Sequence, residues 1–224
     1  MKRTFVVLVV LLATEIALAG TPPINLAVTP RLAMMIVSKD ERKLNEIDKA
    51  YLDAFTILRE DNACSRLFGG PNAIEALNEL VRVVRPAYID RHIAMRMSGT
   101  TTMYRNAMTG FSFRMFEKAE INMAGSFYRG NTLSEPHVSF FRDYQPNTRK
   151  TRVVLLLHEL GHLVRGVDQK WLLADDGHDL DLSAKNTKRV MDVCRSEVEA
   201  VTRMTATEQL EEPLTTIAQI ATQP

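Results

Sequence analysis

Apolar residues recur at intervals of three and four from about Ser38 to Arg59, where Leu44, Ile47, Tyr51, Ala54, Phe55 and Leu58 fall on one stripe. That spacing matches the turn of an α-helix and predicts one buried face. Gly69-Gly70-Pro71-Asn72 breaks the pattern, and Pro71 suits the first turn of a second helix running to about Val84. From Pro86 to Tyr144 the texture changes to aromatics, Thr and Ser, punctuated by Gly99, Gly110, Gly125 and Gly130. Phe111 to Met115 alternates at period two and Val138-Ser139-Phe140-Phe141 reads as another strand, so this region predicts a small sheet.

Helical pattern returns after Pro146-Asn147-Thr148, with the continuous apolar run Val153 to Leu157 and a stop at Gly166. Such a run implies burial on most sides. A further helix is expected from about Ser183 to Thr207, its stripe carried by Val190, Cys194, Val198 and Val201. The sum is an α+β fold, mainly helical, with a small antiparallel or mixed sheet packed on the third helix.

The first twenty residues stand apart. Lys2 and Arg3 precede the apolar run Phe5 to Leu12, and the stretch closes on Ala17-Leu18-Ala19. This is the layout of a secretory signal peptide cleaved after Ala19, which predicts a secreted or periplasmic protein. Glu15 leaves the apolar stretch short of the ~20 residues that a membrane span needs. Thr21 to Pro30 reads as an extended, proline-rich leader. Residues 20–224 are then expected to form a single domain, since no long Gly/Ser/Pro linker divides them. Export changes the reading of Cys64 and Cys194, because an oxidising compartment lets them pair across a loop of about 130 residues. A net charge of +1, with 25% charged and 46% hydrophobic residues, gives no electrostatic lean toward nucleic acid or a membrane surface.

Chemistry concentrates in the third helix, at His158-Glu159-Leu160-Gly161-His162. Residues four apart on a helix share a face, so the two imidazoles can grip one ion. Zinc takes such nitrogens, and a catalytic site keeps three protein ligands and leaves the fourth position to water. Glu159 is turned about 100° from His158 around the helix axis, which sets its carboxylate beside the ion, where it can take a proton from the activated water.

His158-Glu159-x-x-His162 resembles the signature of the zincin metallopeptidases. The resemblance implies a zinc-dependent hydrolase of peptide bonds, with His158 and His162 as metal ligands and Glu159 as general base. Three residues compete for the third ligand. Asp168 lies six residues past His162, the spacing of the metzincin branch, and is the first choice, although that branch has glycine three residues after the second histidine where this chain has Arg165. His178, in the acidic stretch Asp175-Asp176-Gly177-His178-Asp179, is the second, because such a loop could fold back over the metal or donate to an oxyanion. Glu197 is the third, by similarity to the gluzincin branch, which takes a glutamate from a downstream helix.

Zincins align a peptide or protein substrate along an exposed edge strand. Val138 to Phe141 is the nearest upstream segment, with His137 just before it. Phosphate loops, zinc-finger cysteine pairs and a Gly-x-Ser-x-Gly elbow are absent from the sequence. The leading expectation is a secreted zinc peptidase. Its rivals are a secreted zinc-binding module without turnover and a zinc hydrolase of non-peptide amide bonds such as those of cell walls.

Overall fold

The computed structural model describes residues 45–89, 93–129, 144–166 and 168–204. The expected signal peptide, the leader, His137 and the Val138–Phe141 segment lie outside these residues.

Helix α1 spans Glu46–Arg59 and opens on Asn45, whose side chain accepts the Asp48 N–H at 2.9 Å. Every described member of the anticipated stripe, from Ile47 to Leu58, is buried. Helix α2, Ala63–Phe68, is capped by Asn62 and ends at Gly69, whose left-handed φ of 99° lets its N–H turn back onto the helix. A 3-10 turn at Gly70–Asn72 leads into α3, Ala73–Val83.

Strand β1, Val84–Ala87, follows α3 directly; β2 spans Met95–Arg105 and β3 spans Ser112–Asn122. The sheet order is β1-β3-β2, with β1 parallel and β2 antiparallel to β3, so the sheet is mixed. Pro86 in β1 has no N–H to offer a ladder, which suits a strand at the edge. The period-two alternation at Phe111 to Met115 marks only the start of β3, which runs on to Asn122.

Helix α4, Arg149–Leu163, carries the His-Glu-x-x-His motif, with Thr148 as its N-cap. Helix α5, Leu180–Val201, starts three residues before the expected Ser183, because Asp179 caps it by accepting the Leu182 N–H at 2.9 Å. Val190, Cys194, Val198 and Val201 are buried as the stripe predicts.

One apolar core draws on α1, α3, α4, α5 and β3. Cys64 of α2 and Cys194 of α5 are both fully buried and joined in a disulfide across 130 positions of sequence. Constraining the unfolded chain over so long a loop contributes roughly 4 to 5 kcal/mol. The fully buried Asp53 of α1 receives two bonds from the Arg149 guanidinium, at 2.6 and 2.8 Å, fixing the start of α4 against α1. Among the described residues no helix is long and apolar enough to cross a membrane.

Candidate metal centre

The run Val153 to Leu157 buries α4 on all sides, and the burial continues through the motif: His158, Glu159 and His162 are 4%, 6% and 3% exposed. Polar groups this deep need partners, so the path of the chain after α4 decides what they do.

That path is a tight reversal. Val164 bridges to Phe113 of β3, Arg165 bridges to Trp171, and the Gly166 N–H donates to the Lys170 carbonyl at 2.8 Å. The returning leg is then fastened to the helix, with Leu172 N–H bonded to the Val164 carbonyl and Leu173 N–H to the Gly161 carbonyl, each at 3.0 Å. Beyond Leu173 the chain continues as Ala174 to Gly177 across the face that carries the imidazoles. Arg114 of β3 holds this crossing in place: its Nε donates to the His162 carbonyl at 2.9 Å, and its guanidinium pairs with Asp175 while lying over the Trp171 ring.

Three ligand atoms converge as a result. The Nε2 atoms of His158 and His162 are 3.0 Å apart, and Asp176 Oδ2 lies 3.1 Å from the first and 3.5 Å from the second. A tetrahedral zinc with ligands at about 2.0 to 2.1 Å keeps them about 3.3 Å apart, so this triangle has the dimensions of a three-ligand site with one position open. The chemistry of the donors agrees. Nδ1 of His158 is engaged by Thr187 Oγ1 at 2.9 Å, which leaves Nε2 for the centre of the triangle. The two Nε2 atoms face each other, and a divalent cation between them and Asp176 would coordinate both. The buried Nδ1 of His162 has no hydrogen-bond partner among the described residues and faces Asp175 Oδ1 at 4.0 Å. His158, His162 and Asp176 thus form a group that could hold a metal ion.

The electrostatics match a site built for positive charge. Burial works against ionisation of Asp176, but hydrogen bonds from both imidazoles outweigh it and hold the carboxyl well below the usual carboxylate range. Burial likewise disfavours a charged His162, yet the Asp176 hydrogen bond and the charges of Glu159, Asp176 and Asp175 raise its pKa above the ordinary value. Glu159 is pushed up by burial, against the pull of the two imidazoles. Together with His158 and Asp176 it lines a cleft of about 60 Å³ that Ile93, Ala94 and Met95 also border.

His158, Glu159 and His162 therefore meet as the sequence anticipates, while the carboxylate that joins the two imidazoles is that of Asp176 and not of Asp168. Asp168 sits at the exposed tip of the reversal, where its Oδ1 accepts the Lys170 N–H at 3.1 Å, and it does not approach the imidazoles. The late glycine explains the difference: Gly166 and Gln169, the latter at φ 63°, fold the chain back so sharply that six residues reach only the tip. His178 is exposed in the turn before α5. Glu197 accepts a bond from Ser196 Oγ at 2.7 Å, and at 1.5 Å rise per residue lies about 15 Å along α5 from Thr187. Asp176 stands in the acidic stretch Asp175 to Asp179, where nothing in the sequence itself distinguishes its carboxylate from its neighbours or from the His178 imidazole.

Compared with protein-family models, curated proteins and solved structures, the chain finds no match.

Proposed function

We propose that this chain is a secreted zinc-dependent metallopeptidase with Glu159 as general base. The observation that carries this reading is the convergence of His158 Nε2, His162 Nε2 and Asp176 Oδ2 on one point, beside a cleft that Glu159 also lines. Two nitrogens and one oxygen at tetrahedral spacing favour zinc over the oxygen-seeking cations. When bound, the metal supplies a Lewis acid and lowers the pKa of a water toward about 7.

The protein's own groups do the rest. Among the described residues no hydrogen bond holds the Glu159 carboxylate, and burial raises its pKa above the ordinary carboxylate value, which makes the ionised group a stronger base. It takes a proton from the water as the C–O bond forms, then passes that proton to the leaving nitrogen as the C–N bond breaks. Strand β2 lies at the edge of the sheet, and the residues leading into it border the cleft, which suits an extended peptide. The disulfide and the signal-like N-terminus support export.

Glu159→Gln tests the reading. The variant should keep one zinc per chain while peptide hydrolysis, followed by mass spectrometry of a digest, falls at least about 100-fold. Retained zinc with an undiminished rate would remove Glu159 from the mechanism.

A further inference from the structure

Helix α5 meets the metal centre with two consecutive buried polar residues, Asn186 and Thr187, only 6% and 5% exposed. Both are poor choices for a helix interior, since their side chains compete for backbone hydrogen bonds, and both would be costly if unsatisfied. Adjacent residues on a helix point about 100° apart, so the pair addresses two different neighbours. Thr187 Oγ1 contacts His158 Nδ1 on α4 at 2.9 Å. The Asn186 amide turns to the returning loop, donating to the Ala174 carbonyl at 2.9 Å and to Asp176 Oδ2 at 3.1 Å.

Resting on the metal-site reading above, we propose that Asn186 and Thr187 are positioning residues that set the affinity of the centre for zinc. Thr187 accepts the Nδ1–H of His158 and so fixes the tautomer that presents Nε2. Asn186 pins the loop at Ala174 and turns Asp176 so that Oδ2 faces both imidazoles. One helix thereby orients two ligands that come from separate elements, and Cys194, two turns further along α5, ties that helix to α2 through the disulfide. Partners that orient metal ligands in this way commonly alter affinity by about 10- to 100-fold when removed.

The experiment is a zinc titration of the purified protein against a competing chelator, with circular dichroism and thermal unfolding of each metal-free form. Thr187→Val and Asn186→Ala should each weaken zinc binding about 10- to 100-fold. Thr187→Ser, which restores the hydroxyl, should return it to near the parent value. Lys188→Ala, next along α5 but paired with Asp192 on the surface, should leave it unchanged. A merely structural role predicts a different result: lowered melting temperature with parental affinity in the folded variants. That result overturns the proposal while leaving the metal site intact, whereas a parent that binds no zinc overturns both. Should Thr187→Val not fold, Thr187→Ala is read the same way.

Discussion

Leu173 donates its backbone N–H to the carbonyl of Gly161, and its side chain fills the space beside the Gly161 Cα, where a Cβ would stand 2.6 Å from Leu173 Cδ1. The glycine inside the motif is thus a packing requirement of the chain that brings Asp176 to the imidazoles. Leu173 is fully buried and its backbone is tied to the helix, so it has little room to yield. Gly161→Ala should cost about 1 to 3 kcal/mol in chemical denaturation and lift the Ala174–Gly177 crossing away from the imidazoles, weakening metal binding as well. Parental stability and affinity in that variant would show that the crossing does not depend on this contact.

The single tryptophan should report on the site. Trp171 packs against two guanidinium groups, Arg114 at 4.3 Å and Arg165 at 4.8 Å from the ring centre, and Arg114 also holds Asp175, the neighbour of Asp176. Metal addition is expected to change its fluorescence and to saturate at one equivalent, and Asp176→Ala should abolish the change. A signal unaltered through a titration that demonstrably loads metal would contradict this coupling.

Proton competition gives the pH dependence its sign. In the metal-free protein the raised pKa of His162 means that protonation stabilises the fold below its ordinary value near 6.5, and that this contribution is lost as pH rises through the raised value. Metal must displace that proton. Apparent affinity should therefore climb with pH up to the raised pKa, by about tenfold per unit for one proton, and flatten above it. Asp176, held low, stays ionised throughout and adds no step in that range. Calorimetry in buffers of different ionisation enthalpy measures the protons released, and an affinity independent of pH from 5 to 8 would argue against His162 as a ligand.

Loss of the disulfide should act at a distance. Replacing Cys64 and Cys194 together by Ser frees α2 from α5 and is expected to lower stability by about 4 kcal/mol, read from the denaturation midpoint. An unchanged midpoint would mean that the unfolded chain does not feel the cross-link.

Much of this architecture was legible in the residues themselves. The helical stripes announced α1 and α5, and the run from Val153 announced a buried motif helix, because burial imposes a 3.6-residue period or none at all. The cysteine pair followed from the signal-like N-terminus. Sheet order was not legible, since Val84 to Ala87 reaches β3 across a long stretch of chain and nothing local encodes that parallel pairing. Asp176 was hidden for a related reason. It lies fourteen positions past His162, and its approach depends on a reversal whose Gly166 is visible but whose return along α4 is fixed by Leu173 on Gly161 and by Arg114 from another element. Nothing local in the sequence marks Asn186 and Thr187, since the groups they meet come from α4 and the returning loop.

The identity of the third ligand is the most direct test of the whole account, and zinc content per chain after exhaustive dialysis, by elemental mass spectrometry, measures it. The parent, Asp168→Ala and Glu197→Ala should each retain one zinc, while Asp176→Ala should retain essentially none at the same protein concentration. Zinc kept by Asp176→Ala and lost from Asp168→Ala would contradict the centre described here.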